Sequence, residues 1–431
     1  MMGGKPEAVD AAFAFLVAAV IAWLLVPVAE RLARRIGALD YPNERSLHTV
    51  PTPKLSGLAI LVAILVSGFI FLPPVPLTRA VLGGAIVISI VGVVDDLWDL
   101  PAPLKLLGQT TAAIIPVLNG VQVANFTLPF VGRVELNSVE LFDAPLVGNV
   151  HLGHVLTVFG IVAVINVVNL IDGVDGLAAG VCLISGATLA IIAVSLDRTS
   201  AAVLAAVTAG GAFGFLRHGF PPASSFMGDT GSNLLGYLLG AIAVQGALKT
   251  NAVVALFFPL VVLAVPIFDT GFVIAKRLKY RRPIYRADRW HLHHRLANIG
   301  FSQRRTLAYL YGWALVMAGM ALALRFVPYS DDHGHLDPFW TAVIVACMVA
   351  AVAASVYLVA TLEILKLRRV RFRELLGARG RPPEEAEVDE GVARELETGS
   401  FEALDPQTGE WTAVDPETGE LEAVEPPERP P

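Results

Sequence analysis

The sequence predicts an all-α polytopic integral membrane protein, and three observations predict it. Of the 431 residues, 55% are hydrophobic and only 16% are charged, where a soluble chain would carry about a quarter charged residues. Mean hydropathy is +0.63. The apolar residues also fall in runs of about 17 to 25, the length that crosses a hydrocarbon core about 30 Å thick.

Spans are expected near 11–29, 57–75, 80–95, 106–120, 155–171, 177–196, 200–217, 232–248, 251–275, 307–326 and 339–361, about eleven in all. The first run lacks a basic leading region and a small-residue cleavage site, so it reads as a retained span rather than a signal peptide. Cys182 and Cys347 both sit inside apolar runs and read as buried thiols.

Orientation follows from lysine and arginine in the connections. The loop 30–56 holds Arg31, Arg34, Arg35, Arg45 and Lys54, and the loop 276–306 is more basic still. Eleven spans place both loops on one side, the cytoplasmic one, with the N-terminus outside and the C-terminus inside. The connection 121–152 is then external, and the alternation in VGRVELNSVELF predicts a short β-hairpin. A catalytic transmembrane domain is expected over 1–375. Beyond it, 376–431 turns acidic and Pro-rich and ends in a ten-residue near-repeat, FEALDPQTGE, WTAVDPETGE, LEAVEPPERP. So little apolar surface predicts a disordered, solvating cytoplasmic tail.

Five polar clusters interrupt the apolar pattern, and this topology brings all of them to the cytoplasmic boundary. VVDDLWDLP carries Asp95, Asp96 and Asp99, with positions 95 and 99 on one helix face. NVVNLIDGVDGLAAG carries Asn166, Asn169, Asp172 and Asp175. FPPASSFMGDTGSN carries Asp229 and Ser232 at the start of a span. RADRWHLHHRL carries His291, His293 and His294, and HTVPTPKLSG carries Lys54. Each has a bland reading alone: a solvated helix end, an N-cap, an interfacial histidine, an ordinary positive-inside loop. Together they are harder to dismiss, because acids at membrane depth are costly and usually functional.

Acids gathered at one boundary repel unless a cation lies between them. Hard oxygen ligands with no cysteine in reach favour Mg²⁺, which bridges to substrate phosphates. The Arg, Lys and His loop supplies phosphate donors. That combination suits phosphoryl transfer, where catalysis is mostly positioning and charge stabilisation. No Walker A loop is present, which argues against an ATP motor. A secondary transporter is the rival from another class, but its acids belong near the midplane, often with inverted repeats; these lie at one boundary in a chain without such a repeat.

At these residues the chain resembles the polyprenyl-phosphate N-acetylhexosamine-1-phosphate transferases. The likeness spans roughly 30 to 310 and takes in VVDDLWDL, NVVNLIDGVDGLAAG, FMGDTGSNLLG, PIFDT and the HLHHR loop, in that order. The histidine loop is similar to that of the bacterial branch using UDP-N-acetylglucosamine to start envelope polysaccharides such as O-antigen, teichoic acid or arabinogalactan. The alternative within the family is another UDP-N-acetylhexosamine, including the muramoyl-pentapeptide donor.

The resemblance implies a transferase that moves N-acetylglucosamine-1-phosphate from the UDP-sugar to a polyprenyl phosphate and releases UMP. It implies a multi-pass enzyme of the cell membrane with a cytoplasmic active site, no nucleic-acid partner and a homodimeric assembly. Asp229 would be the leading Mg²⁺ ligand, with Asp95 complementing it and Mn²⁺ as a substitute. Asp95 and Asp96 would hold or deprotonate the lipid phosphate. Lys54, Asp99, Asn166 and Asn169 would contact substrate, Asp172 and Asp175 would line the nucleotide pocket, Asp175 at the uracil, and Phe226 would stack on the base. His291, His293, His294 and Arg295 would clamp the diphosphate or sugar. Two positions depart from the family pattern. Gly219 stands where asparagine is common, so that side-chain contact is either missing or replaced by His218, and Ser56-Gly57 stands in place of Gly-Gly.

Overall fold

The computed structural model describes residues 8–41, 50–128, 132–144, 148–247, 302–328, 337–351, 353, 401–404 and 411–414. Two compact units divide the chain: 1–272 with 302–351, and 273–301 with 352–431.

The first unit is helical. In order come α1 (Ala8–Ile36), α2 (Gly57–Phe71), α3 (Pro76–Trp98), α4 (Ala102–Leu118), α5 (Leu152–Leu170), α6 (Leu177–Ser195), α7 (Thr199–Gly219), α8 (Gly228–Ala247) and α9 (Gln303–Phe326), then α10 (Pro338–Ala351). Among the described residues, α1, α3, α5, α6, α7 and α9 are long and apolar enough to cross a membrane, and α2, α4 and α10 are shorter apolar helices. The expected span 251–275 lies outside the described residues.

Helix ends follow local chemistry. Pro76 opens α3 in the first turn, where a missing N–H costs nothing. Pro101 caps α4. Ser302 caps α9 by accepting the Arg305 amide at 3.4 Å. α3 stops at Trp98 because Asp99 turns left-handed (φ 47°), its own N–H closing on Asp95 O at 2.9 Å.

Packing centres on α8. Thr230 to Ala243 are all buried, with α2, α3, α4, α5, α6 and α7 around them. Beyond the polar first turns with buried Thr230, Ser232 and Asn233, the helix is apolar on all sides, as a central position requires, and its one buried phenol, Tyr237, donates to Val81 O at 3.0 Å. α7 lies against α1 along a small-residue face. A Cβ on Gly214 would collide with the Ala19 carbonyl oxygen and the Trp23 amide of α1, so the two backbones touch there.

Between α4 and α5 the expected single hairpin is instead two antiparallel pairs. β3 (Asn125–Leu128) pairs with β4 (Gly132–Glu135), and β5 (Glu140–Ala144) pairs with β6 (Gly148–His151). The alternating stretch VGRVELNSVELF straddles the two pairs rather than forming one. Near the start of the chain, β1 (Leu39–Asp40) pairs with β2 (Thr52–Pro53). In the second unit, β7 (Phe401–Leu404) pairs with β8 (Trp411–Val414). These are equivalent positions of two copies of the near-repeat, in a tail for which no structure was expected.

Candidate active site

One end of α8 gathers residues from five parts of the chain. Asp229 lies in its first turn. Asp95 and Asp96 arrive from the last turn of α3, Lys105 from the first turn of α4, Asn166 and Asn169 from the end of α5. Asp172 and Asp175 lie in the loop to α6.

The centre is an ion cluster. The Lys105 ammonium lies 2.7 Å from Asp95 Oδ2 and also hydrogen-bonds Asp229 Oδ2. Asn169 Nδ2 donates to Asp229 Oδ1 at 2.7 Å and to Ser232 Oγ at 2.9 Å. Asp95 Oδ1 accepts the Leu100 amide at 2.8 Å, which ties the α3–α4 turn to the same carboxylate. Lys105 was not expected from the sequence. A single lysine in LPAPLKLLG reads as a snorkelling side chain, and the only hint was Gln109 four residues on, a second polar group on an apolar helix. Gln109 is fully buried and its Oε1 accepts Asn166 Nδ2 at 2.7 Å. Asn166 therefore serves the helix interface, also donating to Val162 O at 2.8 Å.

Asp96 points elsewhere than its neighbour. Its Oδ1 accepts the Asp229 amide at 2.9 Å, and its Oδ2 accepts the Thr230 amide at 3.0 Å and the Thr230 hydroxyl at 2.7 Å. These are first-turn amides with no helical partner of their own, and a carboxylate there is favoured by the helix dipole. Asp96 is thus the cap of α8. Gly228 lets it come so close: its φ is +65°, and a Cβ would strike both the Asp96 carboxylate and the Lys54 carbonyl.

Asp99 is not brought to the cluster. Positions 95 and 99 would share a face only in a continuous helix, and the helix ends between them; Asp99 is exposed. Lys54 is placed beside Gly228 by a backbone ladder. Phe226 N donates to Pro53 O (2.8 Å), Ser56 N to Phe226 O (3.2 Å) and Gly57 N to Met227 O (3.0 Å). The Lys54 ammonium has no acid partner among the described residues. Ser56, the departure from Gly-Gly, is accommodated by a 2.5 Å hydrogen bond between its hydroxyl and that of buried Ser225.

The loop acids differ from each other. Asp175 Oδ2 accepts the Ala223 amide at 3.1 Å, which joins the nucleotide-loop candidate to the 221–227 turn carrying half-buried Phe226. For Asp172, burial, reinforced by the charges of Asp229, Asp96 and Asp175, pushes the carboxyl well above the usual carboxylate range. The Tyr311 hydroxyl of α9 donates to Gly176 O at 2.6 Å, fixing the end of this loop. The expected replacement by His218 does not occur: its ring faces α1, with Nε2 3.2 Å from Trp23 O and Nδ1 3.9 Å from Glu30. His291, His293, His294 and Arg295 lie outside the described residues.

Among the described residues no three His, Cys, Asp or Glu side chains form a ready metal cage. Two carboxylates nevertheless converge on one cation, the Lys105 ammonium. Asp95 and Asp229 are hard oxygen donors meeting at a point, so the donor set fits a divalent cation completed by substrate oxygens and water.

Residues 78–247 match the model of the family described as glycosyl transferase family 4. The chain is 35% identical over 314 residues to a probable undecaprenyl-phosphate N-acetylglucosaminyl 1-phosphate transferase of Bacillus subtilis, covering 72% of this chain and 84% of that protein. It is also 35% identical to decaprenyl-phosphate N-acetylglucosaminephosphotransferase of Mycobacterium leprae, over 73% of this chain and 83% of that one. A phospho-N-acetylmuramoyl-pentapeptide-transferase of Desulforudis audaxviator is 32% identical, over 74% of this chain and 98% of its own length.

Proposed function

The chain belongs to glycosyl transferase family 4, among the polyprenyl-phosphate N-acetylglucosamine-1-phosphate transferases, and from that premise we infer that it transfers N-acetylglucosamine-1-phosphate from UDP-N-acetylglucosamine to a polyprenyl phosphate. The observation that carries the chemistry is the Asp95–Lys105–Asp229 cluster at the end of the central helix. An acceptor phosphate oxygen attacks the phosphorus that bears the sugar, the bond to the bridging oxygen breaks, and UMP leaves with the electron pair. A phosphate monoester has its second pKa near 6, so the acceptor is already mostly a dianion at neutral pH and needs little base catalysis.

We assign the roles accordingly. Asp229 and Asp95 would hold Mg²⁺, with Mn²⁺ as a substitute, and the ion when bound would neutralise the diphosphate charge. Lys105 keeps the two acids together and offers charge to a transferring phosphoryl group. Lys54, without an acid partner among the described residues, is available to a substrate phosphate. Asp96 holds the first turn of α8 and so positions Asp229. Asp175 and Phe226 flank the nucleotide base, and the histidine loop clamps the diphosphate. We place the site on the cytoplasmic side of an eleven-span enzyme of the cell membrane, on the basic loops 30–56 and 276–306; a homodimer is proposed on the family resemblance alone.

UMP release with a panel of UDP-sugars and a short polyprenyl phosphate tests the reading. UDP-N-acetylglucosamine should be preferred; preference for the muramoyl-pentapeptide donor would move the protein to the other branch, which the 32% relative represents. Without acceptor, no stoichiometric UMP burst is expected. A burst of one UMP per site would mean a covalent phosphoenzyme instead of direct attack.

A further inference from the structure

The flank where α1 crosses α7 carries a groove of about 790 Å³ that takes no lining residue from the acid cluster. Leu16, Val20 and Trp23 of α1 and Phe213 of α7 line it, and all four are well exposed. Its floor is the backbone contact at Gly214. Two guanidiniums stand at one end. Arg217 follows Gly214 by one turn of α7, and Arg304, from the start of α9, is held by its Nε–H donating to Pro221 O at 3.1 Å. Neither has a carboxylate partner among the described residues. Glu30 is turned to the Ser224 hydroxyl (3.0 Å) and to His218.

An unneutralised guanidinium against apolar membrane-facing walls is costly unless an anion meets it. A ligand that is acidic at one end and aliphatic along its length removes both costs. We propose that this groove binds one anionic glycerophospholipid, its phosphodiester between Arg217 and Arg304 and an acyl chain along Leu16, Val20, Trp23 and Phe213. Arginine forks match phosphate oxygens, and a tryptophan at that level suits the interfacial zone. The lipid acceptor is a poor occupant, because no lining residue belongs to α3, α4, α5 or α8, which build the acid cluster.

The test uses the full chain in nanodiscs containing phosphatidylglycerol or phosphatidylcholine with brominated acyl chains. Quenching of Trp23 is isolated by subtracting the Trp23→Phe variant. Phosphatidylglycerol should quench at a mole fraction about thirtyfold lower than phosphatidylcholine, given two guanidiniums near an anionic headgroup. The Arg217→Gln/Arg304→Gln double variant should lose that preference, and Arg217→Gln alone, which leaves the Arg304–Pro221 contact in place, should weaken it while releasing UMP at the wild-type rate. Equal quenching by the two lipids, or a preference that survives both substitutions, would overturn the proposal. So would displacement of brominated phosphatidylglycerol by a stoichiometric short polyprenyl phosphate, which would assign the groove to the acceptor. If the double variant does not assemble, the wild-type comparison of the two lipids decides alone.

Discussion

Lys105 and Asp95 meet at 2.7 Å across the α3–α4 turn, and the same ammonium reaches Asp229 on α8. One cation therefore holds together two acids far apart in the chain, at the point where the reacting phosphates are expected. Lys105→Gln should lower kcat for UMP release on the order of a hundredfold, the usual scale for losing one preorganised charge at a phosphoryl-type transition state. A near-wild-type rate would take Lys105 out of the mechanism.

Asp229 should be the most sensitive carboxylate. Asp229→Asn keeps an acceptor for Asn169 yet loses the charge facing the cation. Turnover should fall by about a hundredfold or more, roughly 3 kcal/mol in the barrier, while membrane insertion stays normal. Full activity of the Asn variant at saturating Mg²⁺ would exclude Asp229 as a ligand.

Asp96 should behave as a structural cap. Its Oδ2 accepts two hydrogen bonds, from the Thr230 amide and hydroxyl, and an Asn nitrogen there would face two donors. Asp96→Asn should cost about 2 kcal/mol or more of stability, visible as a lower thermal midpoint before any substrate is added. An unchanged midpoint with lost activity would instead make Asp96 a direct participant.

Asp172 sets a pH dependence. Its folded-state pKa lies well above that of the unfolded chain, about 3.9. The stability it contributes is therefore complete below that value and is lost as pH rises through the folded one. Asp172→Asn mimics the neutral form at every pH. In chelator-containing, substrate-free buffer the thermal midpoint of the wild type should drop relative to the Asn variant as pH rises from about 4. A constant difference across the range would show that the carboxyl is not held neutral.

Composition and apolar periodicity were enough to read the membrane class, most of the described helices and the acidic motifs that meet at one end of α8, because a lipid solvent constrains local sequence directly. Asp229 could be placed at the start of a span from FPPASSFMGDTGSN alone. Other features depended on contacts between residues far apart. The cap that Asp96 provides for α8 joins positions 133 apart, and no spacing rule reaches that far. Asp95 and Asp96 are adjacent and look alike in sequence, yet the helix turns them onto different partners. Asp99 was lost to the site when α3 ended at Trp98, a decision made by a left-handed backbone at one residue. Lys105 was hidden by its apolar surroundings, since a lone lysine in a membrane helix has a cheap alternative in water. Only the packing of α3, α4 and α5 around α8 put its ammonium between two carboxylates, where burial makes the charge pairing obligatory.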